Sequence, residues 1–319
     1  MKQLRRLKVV RRFNMAQLIK LNDYISRYET NIYQYPSQYV KLKSDHWNKM
    51  KKRFEQGWVE KPIENGKRIE EEEQKGIKKF FKKKSKEEAE ESTKNPLSED
   101  DFPSSTEELK QYYLDGLIPF QLKWATTTLM EKSFLDPSYK QNSDLKYFLQ
   151  RFPDTFLLMF EPVVQMKNAE VEIDHLLIGP SGIEIISLLS HPNGESIHPT
   201  SENSWNIEKE GVQSKVLSPM HSLRRTETFV KSVLNKYQLD FPYRKVVLSK
   251  NMRFVSEQVP YRTDWIGKDQ YTSWFHEKRA LKSPLKHDQL KVAEALLKHC
   301  RTIAVKRPEW DMEDSFTEG

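Results

Sequence analysis

Val171-Glu-Ile-Asp-His-Leu-Leu-Ile-Gly-Pro-Ser-Gly-Ile-Glu-Ile-Ile-Ser-Leu-Leu-Ser190 decides the fold of this chain. Two β-branched and aliphatic runs flank Gly179-Pro180-Ser181-Gly182, a turn sequence bracketed by glycines, and this is a strong hairpin signal. One acid, Asp174, falls in the middle of the first predicted strand. A carboxylate among such residues is costly to bury without a partner, so it needs a structural or functional reason. Strand alternation places Glu172 on the same face, about 7 Å away, and turns His175 to the other face.

Working outward, the 319 residues allow one substantial domain with appendages, or two small ones. Hydrophobic residues make up 37% and charged residues 31%, which describes a moderate core under a highly charged surface. No run approaches the roughly 18 apolar residues that span a bilayer, and no apolar segment follows the basic start to make a secretory signal. The single cysteine, Cys300, excludes an internal disulfide and a cysteine-based zinc site, and a cytoplasmic location is expected. Cys300 lies in an apolar-periodic stretch and is read as a buried, inert thiol. The net charge of +7 is compatible with attraction to nucleic acid or an anionic membrane without being specific for either.

The hairpin resembles the core of the NERD (nuclease-related) domain, a branch of the PD-(D/E)xK nuclease superfamily. Glu172-Ile173-Asp174-His175, the Gly179–Gly182 turn, Trp205 and Pro219 follow one another as in that family. The resemblance covers about the central third of the chain. It implies an α/β (α+β) fold with a restriction-endonuclease-like core, a central mixed sheet of four to five strands flanked by helices.

The departures point to lost chemistry. Where the family carries Glu and Lys two residues apart, this chain has Ser187 and Leu189, and Ser218 and Ser222 replace an Asn and a Gln at a helix start. Cutting a phosphodiester this way takes two or more carboxylates on Mg²⁺ and a lysine that positions water. Asp174 alone remains as a metal ligand. The expectation is therefore a silent nuclease fold without a cofactor, kept for binding DNA or RNA or for assembly with a protein partner. The alternative is an active hydrolase using Mg²⁺ or Mn²⁺, with Asp174 and Glu172 as catalytic acids. Glu184 faces away and joins such a site only through a register slip or a bulge. Arg224, Arg225 and Lys231 on the following helix are the candidate cations and nucleic-acid contacts. His221, at the helix start, is the one histidine placed near the site. The family's first helix, expected after Glu108, offers Gln121 or Glu131, and Glu161 is an edge carboxylate or a stray ligand.

Five segments are expected. Residues 1–14 form a basic arm or an extension ahead of a natural start at Met15. Residues 15–60 form a small, mainly helical, aromatic-rich module broken at Pro36, whose tyrosines serve as a small core or a docking face, with base stacking as the functional alternative. Residues 61–107 are a charged low-complexity linker, whose lysines around Phe80-Phe81 also suit anionic lipid. Residues 108–303 carry the nuclease-like domain, closed by a helix over Leu285–Cys300, and residues 304–319 form a mobile acidic tail.

Overall fold

The computed structural model describes residues 15–57 and 103–307, apart from 168, 193 and 257. The basic arm, most of the charged linker, Trp58 and most of the acidic tail lie outside the described residues. The chain opens with β1 (Gln17–Leu21), the single turn α1 (Arg27–Thr30) and α2 (Tyr35–Glu55). Next come α3 (Thr106–Trp124), β2 (Glu131–Lys132) and α4 (Ser143–Arg151). The middle third is mostly strand: β3 (Leu157–Phe160), β4 (Val163–Met166), β5 (Ala169–Glu172), β6 (His175–Gly179) and β7 (Gly182–Leu188). β8 (Ser196–His198), β9 (Ser204–Lys209) and β10 (Val212–Leu217) lead to α5 (Met220–Lys236). The chain continues through β11 (Tyr243–Leu248), β12 (Arg253–Phe254) and β13 (Thr263–Ile266). It closes with α6 (Lys268–Ala280), α7 (His287–Leu297) and β14 (Val305–Lys306).

A mixed six-stranded sheet, ordered β1-β3-β6-β7-β11-β13, is the centre of this α/β fold. β6 and β7 pair antiparallel without a break from Gly179↔Gly182 to His175↔Ile186, so the Gly-Pro-Ser-Gly hairpin forms as its sequence dictates. The turn is tight: a Cβ on Gly179 would stand 2.7 Å from the Phe156 ring, and one on Gly182 2.9 Å from the Pro242 carbonyl. β7 then pairs parallel with β11, and β11 with β13. α5 covers one face, where Lys245 of β11 reaches Glu227 at 2.5 Å. α4 and α6 cover the other, joined through Phe152 against Trp274 and Phe275 at 5.6 and 5.8 Å. Trp205 of β9 packs on Phe254 and Trp265, fastening a second sheet, β10-β9-β8-β12, to the edge at β13.

The central sheet exceeds the predicted four to five strands because residues 15–57 enter it. β1, fully buried, pairs parallel with β3. The expected N-terminal helical module is therefore no separate core. Pro36 lies in the first turn of α2, where proline is tolerated, so Tyr35–Glu55 runs as one helix. The aromatics pack on α3: Tyr28 and Tyr35 lie 5.9 and 5.5 Å from Trp124, and Trp47 lies 5.5 Å from Tyr113. These rings are core and do not face solvent as stacking platforms, with Tyr28 and Tyr39 buried.

Candidate functional site

Asp174 sits in a break between β5 and β6, and not inside a strand as predicted. Ile173 ends the β4–β5 ribbon by donating its N–H to the Pro162 carbonyl (3.0 Å), and β6 begins at His175. The break turns the Asp174 carboxylate toward α5. There Ser222 donates to Oδ1 at 3.0 Å and Thr226 to Oδ2 at 2.8 Å, while the Thr226 oxygen accepts the Asp174 backbone N–H at 3.1 Å. Ser187, from β7, contributes a third hydroxyl contact. Burial pushes the Asp174 carboxyl above the usual range, and the three hydroxyls and the nearby Arg225 guanidinium partly offset this. Asp174 is thus a half-buried acid held in a cage of hydroxyls.

The other predicted acids lie elsewhere. Glu172 does not share a site face with Asp174, because the strand breaks between them. Its side chain is exposed and accepts from Asn22 Nδ2 at 3.0 Å. Glu184 stays on the opposite face of the unbroken β7, buried against Lys278 at 2.5 Å. Glu161 ends β3 with a left-handed φ of +47°. Its carboxyl is held above the ordinary range by burial first and by the neighbouring Glu172 charge second. Gln121 spends both amide atoms on β1, donating to Ala16 O and accepting from Leu18 N–H, each at 2.7 Å. Glu131 is exposed on the β2–β14 ribbon.

The predicted cations also separate. Arg225 reaches the Glu172 carbonyl at 3.4 Å and is the one candidate beside Asp174. Arg224 is exposed and paired with Glu202 at 2.9 Å. Lys231 lies two turns further along α5 and lines a groove at the other end of the sheet. His221 is exposed, its Nε2 2.9 Å from Asn203 Oδ1. Leu189 packs against the core and donates its N–H to Leu248 at 2.9 Å. Cys300 donates weakly to Leu296 O at 3.4 Å, and burial pushes its thiol up to about 12, which suits an inert side chain.

The donor set around Asp174 does not fit a divalent ion. Hydroxyls of Ser187, Ser222 and Thr226 already occupy the Asp174 carboxylate, and no second carboxylate joins it among the described residues. Among the described residues, no group of three or more His, Cys, Asp or Glu side chains could hold a metal. Nor does the Ser196–His198–Glu208 grouping form a relay. His198 turns the same nitrogen, Nε2, to Ser196 Oγ (2.8 Å) and Glu208 Oε2 (2.9 Å), whereas a relay uses both ring nitrogens.

Thr226 was missed in the sequence. It follows Ser222 by four residues, so the two share a helix face, and that spacing was the available signal.

A mixed sheet flanked by helices is consistent with an α+β nuclease-like fold. Residues 138–250 match the nuclease-related domain (NERD), and the chain carries such a domain. The match begins just before α4, whose first-turn acid, Asp144, stands 3.8 Å from Lys250. A stretch of 41 residues is 51% identical to an RNA 2',3'-cyclic phosphodiesterase of Geobacillus stearothermophilus, covering 13% of this chain and 13% of that protein. No solved structure matches. No helix among the described residues is long and apolar enough to cross a membrane.

Proposed function

We propose that this nuclease-related domain binds nucleic acid without cutting it. The observation that carries the reading is the cage around Asp174. A hydrolytic centre of this type needs a metal-bridging carboxylate pair and a cation at the scissile phosphate. Here the one acid of the set is held by Ser187, Ser222 and Thr226, and Glu172 is turned away toward Asn22. The cage serves instead to fix the β5–β6 break onto α5. The net charge of +7 supports attraction to polyanions. A cytoplasmic setting belongs to the same proposal and rests on the single cysteine.

The test is incubation of the full chain with single- and double-stranded DNA and RNA in Mg²⁺ or Mn²⁺. No cleavage is expected from wild type or from Asp174→Ala, together with binding that weakens steeply as salt rises. Cleavage that disappears in Asp174→Ala would replace the reading with an active metal nuclease built on other groups. Absence of binding at low salt would leave assembly with a protein partner as the function.

A further inference from the structure

Far from Asp174, a second concave surface opens where β7 and β11 begin. Gly182 and Ser187 are five steps apart along β7, so the two ends lie roughly 17 Å apart. A groove of ≈ 690 Å³ runs there between the exposed side of α5 and the turn before β13. Lys231 and Asn235 form one wall; Tyr243, Tyr261 and Arg262 form the other. The same residues, Tyr261 apart, continue into an adjoining cleft of ≈ 670 Å³ along the Gly179–Gly182 turn. Each volume falls within the range of small-molecule sites.

The groove itself holds one carboxylate, Glu227, and the adjoining cleft adds Glu184, Asp240 and Glu277. Glu227 is taken by Lys245 at 2.5 Å, Asp264 by Arg244 at 2.7 Å and Glu184 by Lys278 at 2.5 Å. Lys231 and Arg262 have no carboxylate partner among the described residues. Arg262 instead lies over two rings, 5.0 Å from the centroid of Tyr243 and 5.4 Å from that of Tyr261. Tyr261 is 82% exposed, its face available to solvent. The backbone holds this display at a cost. Thr263 N–H closes a turn onto Pro260 O at 3.1 Å, and Arg262 takes a left-handed φ of +50° that favours glycine or asparagine. An arginine kept at a glycine position, beside an exposed ring and a second free cation, is suited to a planar ligand that carries phosphate.

We propose that this groove is a binding site for nucleoside phosphates, with Lys231 and Arg262 contacting phosphate and Tyr261 stacking on the base. A single strand and a free nucleotide share this chemistry. The inference deepens the nucleic-acid reading by giving the ligand a place remote from the Asp174 cage.

The experiment measures fluorescence anisotropy of a labelled 12-nucleotide single strand with the full chain at low salt. Tyr261→Ala is expected to weaken binding about fivefold or more. Lys231→Ala and Arg262→Gly should each lower the salt slope by about 0.7. Arg262→Gly should also melt at or above the wild-type temperature, which separates lost binding from lost fold. Lys298→Ala, on α7, should bind as wild type. An abasic strand of equal charge should bind at least fivefold more weakly than the intact strand. Competition by adenosine monophosphate would assign the site to free nucleotides, and competition by strands alone would assign it to nucleic acid. Three groove variants within twofold of wild type, with wild-type binding intact, would overturn the site and leave the broader reading standing. Equal binding of the abasic strand would also overturn it. If wild type binds no strand, that reading fails, and titration with adenosine monophosphate decides the groove: heat lost in Arg262→Gly sustains it, and no heat ends it.

Discussion

Asp174 and His175 are adjacent in sequence and face opposite sides of the sheet, and burial drives both toward neutrality. For Asp174 the cage of hydroxyls offsets part of that pressure. Ser222 was read from sequence only as the replacement of a family Gln, and its contact with Asp174, like that of Thr226 52 residues away, required knowledge of how the break turns the acid. His175 has no such support. Its ring stacks on Phe160 at 4.4 Å and lies 5.3 Å from Phe148, and its Nδ1 has no hydrogen-bond partner among the described residues. Burial depresses its pKa to about 4 from an ordinary value of 6.5, so the folded state prefers the neutral ring. That preference contributes stability that is present above pH 6.5, fades as pH falls, and is gone below the folded pKa. The difference corresponds to about 3 kcal/mol of stability lost between those limits. His175→Phe keeps the ring packing and removes the proton site. Urea denaturation of both proteins from pH 7 to pH 4 should show wild type losing that much more stability than the variant. Parallel pH profiles would mean that His175 titrates normally in the folded protein.

Among the elements, the turn and the pairing of the β6–β7 hairpin were legible, because turn chemistry and flanking β-branched runs are local signals, whereas the break at Asp174 was not. Nor was β1. Its five residues show no alternation, and they include Gln17 and Lys20, yet all are buried. Each polar group has a distant partner: Gln17 Nε2 donates to Asp154 O at 2.7 Å, and Lys20 Nζ meets Thr302 Oγ1 at 2.7 Å beside the nearer Glu29 Oε1 at 2.7 Å and Tyr24 O at 2.8 Å. The free edge of β1 is a further liability, since unpaired backbone groups there would be buried without partners. Gln121 resolves it by acting as a one-residue strand, bonding Ala16 O and Leu18 N–H on the side away from β3. A glutamine that stood in the sequence as one of two candidates, with Glu131, for the family's first-helix position is therefore a sheet-edge cap. Gln121→Leu retains the side-chain volume and leaves both backbone groups unanswered, for a cost of about 1–3 kcal/mol. Hydrogen exchange should show the Leu18 amide losing protection in the variant while amides of β6 and β7 keep theirs at matched denaturant. Unchanged Leu18 protection would show that the cap is dispensable.

Across the whole molecule, the family match and the folding unit differ in extent. Residues 138–250 supply four of the six central strands, β3, β6, β7 and β11, and leave β1 and β13 outside. The N-terminal stretch is bound to the remainder by more than strand pairing. Lys43 Nζ contacts Asp154 at 2.6 Å in a buried pair, Tyr113 donates its hydroxyl to Lys43 O at 2.7 Å, and the Arg27 guanidinium lies 5.6 Å from the Trp124 ring centroid. Composition suggested a boundary here because the charged run after residue 60 separates two segments in sequence, and a sequence reading has no way to see that both sides share one core. A fragment of residues 103–307 would expose Trp124, Phe120 and the β3 edge, all of which are buried in the full chain. Removing that much apolar contact leaves a marginal fold. The expected result is that 103–307 alone shows no cooperative thermal transition, whereas residues 15–57 co-expressed as a separate chain copurify with it and restore one. The trans complex should retain the Lys43–Asp154 dependence, so Lys43→Ala in the short piece should abolish copurification, because it leaves the Asp154 carboxylate buried without its cation. Cooperative melting of 103–307 at the temperature of the full chain would show instead that the N-terminal stretch is an appendage to a core complete without it.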